Sequence, residues 1–383
     1  MVLLVREMEV EFYRSLRRIR FPAERLTVFQ GANGVGKTNL YRALQLIQAA
    51  AAGTLARELA AEGGMPSVLW AGPRPARAPA RIRLAVTLEP DDPIPGSGRY
   101  RYEVEVGMKA PAEAALPYEP LGKQERVTFV KSRRPITLLE RRGPAITAMD
   151  AEGHRSQPDI DLMASETALS AVRDPARYPD LDMLRQILLD WRFYHDLRTD
   201  PASPIRRPCL AVATPTLASD GSNLAAVFAT LMFIREDVAD LDRAIQDSFP
   251  GAQLEVPPPG QTASFGLRFA DFPHRVFDAA ELSDGTLRYL ALMGALLGYR
   301  LPAFIALNEP EASLHPDLLA PLARLIARAA QRTQIWLVSH SETLAAALAE
   351  AGGITPRVVA KRDGATWIEG LRIGGDFLDD EDA

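Results

Sequence analysis

Apolar positions along the chain follow two rhythms. Residues 2–13 and 25–30 are apolar at alternate or successive positions, the pattern of strands buried on one or both faces. After the second run, apolar residues recur at Leu40, Leu44 and Ile47, three to four apart, which predicts a helix from near Lys37 to about Ala52 with Gly53 as its cap. A loose Pro/Gly/Ala segment covers residues 63–79. β-type runs follow at Arg81–Leu88, at Tyr100–Val106 in strict alternation, at Val127–Val130 and at Ile136–Leu139, with Pro and Gly between them that predict hairpin turns. An antiparallel sheet is therefore expected where a plain βαβ repeat would have continued.

From about residue 155 to 250 the period becomes helical, at Leu162–Val172, Leu181–Trp191, Leu224–Phe233 and Val238–Phe249, with Asp220 and Ser222 placed to cap the third. Pro-rich joints at 201–208 and 257–259 bound this part, and no sustained heptad predicts a long coiled coil. In Trp191–Asp196 the aromatic residues read as core rather than as a docking face. Beyond 264 the order returns to α/β, with strands expected at Ser264–Phe269, Ala303–Leu307, Gln334–Val338 and Arg357–Ala360. The pattern predicts an α/β chain in three parts: an N-terminal lobe with an antiparallel sheet (1–150), a helical insertion (151–260) and a C-terminal lobe (261–383).

Composition narrows the class. Hydrophobic residues at 47% and charged residues at 24% suit a globular protein. The single cysteine, Cys209, excludes an internal disulfide framework and a Cys-rich metal site, and points to a reducing, cytoplasmic setting. The first residues reach Arg6 and Glu7 too soon for a signal peptide, and the longest uncharged apolar runs, such as Tyr289–Tyr299, are about half a membrane span, so no membrane partner is expected. Net charge is −5, but residues 1–150 carry 23 Lys and Arg against 16 Asp and Glu, and the remainder 21 against 33. Basic clusters at Arg14, Arg17, Arg18 and Arg20, at Lys131, Arg133 and Arg134, and at Arg141 and Arg142 have two readings: a surface facing nucleic acid, or solvated strand edges and loops.

Chemistry concentrates in four places. Gly31-Ala32-Asn33-Gly34-Val35-Gly36-Lys37-Thr38 fits a P-loop, lying between a strand and a helix. Its glycines let successive amides converge on phosphate oxygens at the positive end of the following helix. Lys37 can neutralise the β and γ phosphates, and the Thr38 hydroxyl can ligate Mg²⁺. A nucleoside triphosphate is the expected ligand. Ser283, with Asp284, Gly285 and Thr286, offers a polar N-cap to an anion at the head of a long apolar helix. The strand at 303–307 runs into Asn308-Glu309-Pro310-Glu311, and the strand at 334–338 into Ser339-His340. Carboxylates at one strand end and an imidazole at another are placed to meet Mg²⁺, the attacking water and the γ-phosphate.

This order of motifs resembles the ABC-type head ATPases of the RecF, SMC and OLD families, and looks closest to bacterial AAA-family ATPases related to RecF. The resemblance implies an α/β P-loop head with an antiparallel β subdomain and an inserted helical subdomain. It implies ATP and Mg²⁺ as cofactors. Residues 31–38 would be the Walker A loop, with Asn33, Gly34, Val35, Gly36, Lys37, Thr38 and Asn39 on the nucleotide and Lys37 also catalytic. Ser283, Asp284, Gly285 and Thr286 would be the signature acting in trans, Asn308 the Walker B metal position beside Thr38, Glu309 the general base, Ser313–Pro316 the D-loop and His340 the switch histidine. Arg14, in Phe12-Tyr13-Arg14-Ser15, would lie near the nucleotide, and Gln124 is one candidate for the Mg²⁺-sensing glutamine. Two copies would form a homodimer across the nucleotides, with DNA or a separate effector or nuclease subunit as further partners. The sequence departs from the pattern at Asn308, where an Asp is usual, and at Asp284 and Thr286. The expectation is an ATP-hydrolysing head; a nucleotide-gated binding module with little turnover is the alternative. The acidic tail Asp376–Asp382 reads as a solvated end.

Overall fold

The computed structural model describes residues 2–73, 80–92, 97–108, 116, 118–131, 134–195, 197–235, 238–372 and 374–378. The chain divides into two units, one of Met1–Glu24, Gly31–Trp191 and Arg357–Ala383, the other of Arg25–Gln30 and Arg192–Pro356. Residues 151–191 thus belong to the first unit and 192–260 to the second.

The first unit is built on an eight-stranded antiparallel sheet. Its strands are β1 (Leu3–Tyr13), β2 (Leu16–Pro22), β4 (Arg81–Pro90), β5 (Arg99–Gly107), β6 (Leu121–Val130), β7 (Pro135–Arg142), β8 (Ala145–Met149) and β9 (Arg155–Ser156), in the order β2-β1-β4-β5-β6-β7-β8-β9. Alternation sets its two faces. On β5, Tyr100, Tyr102, Val104 and Val106 are buried, and the residues between them carry charge. The charged face is a cross-strand ladder. Arg83 meets Glu9 and Glu103, Arg101 meets Glu7 and Glu9, Arg20 meets Glu7, and Arg18 meets Glu11. Helix α1 (Lys37–Ala52) lies with α2 (Leu55–Ala61), α3 (Met65–Val68), α4 (Ala168–Ala171) and α5 (Pro179–Asp190), burying Leu40, Leu44 and Ile47; Gly53 ends α1 in the left-handed region at φ 81. The hairpin of β18 (Arg357–Arg362) and β19 (Ala365–Ile368) completes the unit.

The second unit holds a parallel sheet in the order β10 (Arg192–Tyr194), β16 (Phe304–Asn308), β17 (Gln334–Ser339), β3 (Leu26–Gln30). Every residue of β16 and β17 is buried, as expected of strands covered on both faces. Helices α6 (Leu224–Thr230), α7 (Ala239–Ser248), α8 (Asp284–Leu297), α9 (Leu319–Ala329) and α10 (Glu342–Gly352) belong to this unit. Its remaining strands are β11 (Cys209–Leu210) with β13 (Thr262–Ala263), and β12 (Gln253–Glu255) with β14 (Gly266–Arg268) and β15 (Val276–Asp278). Trp191, Phe193 and Tyr194 are buried, as the core reading requires; Asp196 lies outside the described residues.

Several local expectations change. The helix expected at 162–172 is a four-residue turn, α4. The buried Arg141 guanidinium donates to the carbonyls of Glu166 and Ala164, and so engages acceptors that a helix would have used. The helix expected at 224–233 is α6 followed by a π-turn, Leu231–Arg235. Its N-cap is Asn223 rather than Asp220 or Ser222, because Asp220 accepts from Ser222 N within the preceding turn. The strand expected at 264–269 shortens to β14. β2, β8 and β9 had no counterpart in the sequence reading. Arg133, residues 74–79 of the loose segment and the tail from 379 lie outside the described residues.

Candidate functional site

The parallel sheet of the second unit sets out the site. In it Gln30, the last residue of β3, pairs with Ser339, the last of β17, and Asn308, the last of β16, pairs with Val338. The C-terminal ends of β3, β16 and β17 are therefore side by side. Gly31 follows β3, Glu309 follows β16 and His340 follows β17 in the chain. Strand ends at one edge of a parallel sheet are where such folds place ligands.

The P-loop belongs to the first unit. Gly34 and Gly36 take φ 79 and 100, the left-handed region that an L side chain rarely adopts. A Cβ on Gly36 would come 1.9 Å from Thr366 Oγ1 and 2.5 Å from Ser15 Oγ. These hydroxyls brace the loop: Thr366 Oγ1 donates to Val35 O at 2.7 Å and lies 2.6 Å from Ser15 Oγ, which accepts from Asn39 Nδ2 at 2.6 Å. Asn39 thus supports the loop from behind. The buried Lys37 donates from Nζ to Gly31 O at 2.6 Å and Ala32 O at 2.8 Å. Asn33, Gly34 and Thr38 are exposed. Arg14, at φ 49, pairs with Glu62 at 2.8 Å. Gln124 is exposed in the middle of β6, between Glu105 and Arg142.

The end of β16 is more constrained. Asn308 is 5% exposed; its Nδ2 lies 2.8 Å from His195 Nδ1, and its Oδ1 is buried with no hydrogen-bond partner among the described residues. Glu309 sits at φ 48, a costly conformation of about 1–3 kcal/mol for a residue with a side chain and one concentrated at functional sites. Its amide donates to Val338 O at 2.8 Å, its carbonyl accepts from Arg288 Nη2 at 3.2 Å, and its carboxylate stays partly exposed. Glu311, by contrast, is buried. Its Oε1 accepts from Ser339 Oγ at 2.6 Å, His340 N at 3.0 Å and Ser341 N at 3.2 Å, and its Oε2 has no partner among the described residues. Leaving a buried acceptor unmatched costs about 1–3 kcal/mol. The exposed His340 ring points Nδ1 at Glu311 Oε1, 3.3 Å away, and at Glu309 Oε1, 3.8 Å away.

Ser283 caps α8. Ser283 Oγ accepts from Thr286 N at 3.2 Å and lies 2.9 Å from Thr286 Oγ1. Arg206, mostly buried, organises the loop: it donates to Leu282 O at 2.8 Å, Ala280 O at 3.0 Å and Thr199 O at 2.7 Å, and pairs with Asp284 at 2.7 Å. A Cβ on Gly285 would come 2.8 Å from Ser313 O, so glycine lets the start of α8 and the loop at Ser313 approach closely; Ser313 itself is at φ 65. Sequence reasoning missed Arg206, Arg288, His195 and Thr366, each of which reaches the site through a contact distant in sequence. Glu311 was visible as the second acid of its run, although its role was not.

The site's orphaned acceptor suits a metal. A buried amide oxygen at a strand end, without a donor among the described residues, is an oxygen ligand of the kind Mg²⁺ takes.

A family described as "AAA domain, putative AbiEii toxin, Type IV TA system" matches residues 167–346, the segment that includes Ser283, Asn308, Glu309 and His340. No curated protein matches the sequence. Among solved structures the chain is similar to an Smc head bound to the C-terminal winged-helix domain of ScpA, at 14% identity and TM-score 0.55, covering 97% of this chain and 98% of that one. It is also similar to the Smc head with an extended coiled coil from Pyrococcus furiosus, at 14% identity and TM-score 0.53, covering 97% of each chain. No helix of the described residues is long and apolar enough to cross a membrane. The chain thus has the fold of the Smc heads, and its residues 167–346 match the AAA-domain family.

Proposed function

We propose that the protein binds Mg·ATP on its P-loop and hydrolyses it, two copies pairing across the nucleotides. The observation that carries this reading is the register of the parallel sheet, in which the strand leading into the P-loop neighbours the strand leading to His340, which neighbours the strand leading to Glu309. The amides of residues 33–38 and Lys37 bind the phosphates. Thr38 and Asn308 would hold Mg²⁺, which when bound would supply charge to offset that on the phosphates. Glu309, partly exposed and fixed by its backbone, orients the attacking water and takes its proton. His340 meets the terminal phosphate. Ser283 to Thr286 of a second copy close the site, the helix N-terminus facing an anion. Maintenance of DNA or defence against phage is the setting this reading suggests, in the cytoplasm.

Phosphate release from purified protein with ATP and Mg²⁺ tests the reading. Glu309→Gln should lower turnover about 10²–10⁴-fold, the range of a general base, with ATP still bound. A second reading, an ATP-gated binding module with little turnover, is favoured by the neutral Asn308. Binding without release above background, unchanged by Glu309→Gln, would select it.

A further inference from the structure

We infer that Glu311 is a positioning residue for His340, the group that fixes the switch imidazole while Glu309 serves the water. This rests on the hydrolytic reading above, and it assigns the two acids of the Asn308–Glu311 run to different tasks.

The two carboxylates stand in opposite environments. Glu309 is partly exposed on a strained backbone, with its side chain available to a ligand. Glu311 is buried, and its Oε1 gathers the Ser339 hydroxyl, the His340 amide and the Ser341 amide. Two successive amides and a hydroxyl around one oxygen form a nest that suits an anion. The nest also lies at the start of α10, whose N-cap Ser341 accepts from Leu344 N, so the helix dipole favours negative charge there. The same Oε1 is the nearer carboxylate oxygen to His340 Nδ1, at 3.3 Å against 3.8 Å for Glu309. The same atom accepts from the backbone amide of residue 340 and lies nearest its ring nitrogen. A proton on Nδ1, directed to that oxygen, would leave Nε2 as the ring atom that meets a ligand, the logic by which a buried acid orients a histidine in other hydrolytic sites.

The unmatched Oε2 supports this assignment. A glutamine would present the same Oε1 to the same three donors without a buried charge. A carboxylate kept there despite an orphaned oxygen indicates a requirement for charge beside the imidazole rather than for packing.

The experiment uses the full-length protein with ¹⁵N-labelled histidine. The chain has five histidines, and His340→Gln identifies the signal of interest. In wild type, the neutral ring should show the pattern of an Nδ1-protonated imidazole. Glu311→Gln should move it towards the Nε2-protonated form and lower kcat about 10–100-fold, the usual effect of removing an orienting partner, with KM changed less than about threefold. Glu309→Gln should leave the ring pattern as in wild type. Unchanged His340 signals in Glu311→Gln, or a change in Glu309→Gln alone, would overturn the assignment. Loss of structure in Glu311→Gln would do so too, because it would make the role one of folding. The ring signals do not depend on turnover, so an inactive wild type would remove the hydrolytic reading and leave this assignment to be judged by the spectrum.

Discussion

Asn308 places a neutral amide where the resemblance carries an acid, and its contacts suggest how an amide would serve in the proposed metal role. His195 Nδ1 takes one end of the group, Nδ2 at 2.8 Å, which leaves Oδ1 as the end facing the unmatched position. An Asn308→Asp substitution adds charge at that oxygen and keeps its shape. It should lower the Mg²⁺ concentration that half-saturates ATP binding by about tenfold, in keeping with the effect of ligand-shell changes on metal affinity. A titration of ATP binding against Mg²⁺ measures it, and equal midpoints for both proteins would remove Asn308 from the metal shell. His195→Ala tests the same contact from the other side, and should raise the midpoint because the amide is then free to turn. Residues such as Lys37, Glu309 and His340 were legible because each is fixed to a local pattern. His195 was not, since its partner lies 113 residues away and no local pattern marks it.

At the scale of elements, a P-loop is a strained turn that other elements must hold in place. Here the support is the β18–β19 hairpin and the β1–β2 turn, through Thr366 and Ser15. Gly36→Ala meets both limits at once, a φ of 100 and a Cβ 1.9 Å from Thr366 Oγ1. It should destabilise the fold by about 1–3 kcal/mol and abolish ATP binding. Thr366→Val leaves the glycine conformation but removes the bond to Val35 O. It should keep the fold and weaken ATP binding by about fivefold, the worth of one ordinary hydrogen bond. Denaturation midpoints and nucleotide titrations separate the two cases, and wild-type ATP affinity in Thr366→Val would show that the brace is dispensable. The strands of the parallel sheet were readable because they are continuous apolar runs. β2 was not, because its outward residues are arginines that answer the glutamates of β1 across the pair, which in one dimension looks like a basic cluster. The helix expected at 162–172 failed for a similar reason, since the competing donor, Arg141, belongs to a different strand.

For the molecule as a whole, the charge asymmetry between the two halves of the sequence loses much of its weight once the ladder is seen. Arg18, Arg20, Arg81, Arg83 and Arg126 face glutamates on neighbouring strands, Arg101 reaches Glu9 on β1 beyond β4, and Arg142 pairs with Glu140 of its own strand. A face so neutralised offers few free cations to phosphates, and any nucleic acid bound through it should show a shallow dependence of log affinity on log salt, with a slope of about −3 or less in magnitude. On the proposed reading, assembly depends on the nucleotide instead. If the signature of one copy completes the ATP site of another, trapping ATP should trap the pair. Glu309→Gln with ATP and Mg²⁺ should elute and scatter light as twice 41.9 kDa, whereas Lys37→Ala under the same conditions should remain at the monomer mass. Ser283→Arg puts bulk and positive charge at the helix cap that would face the partner's phosphates, and leaves the P-loop of its own chain untouched. It should bind ATP as wild type does and fail to pair. A dimer that forms equally in all three proteins, with or without ATP, would mean that the copies meet through some other surface.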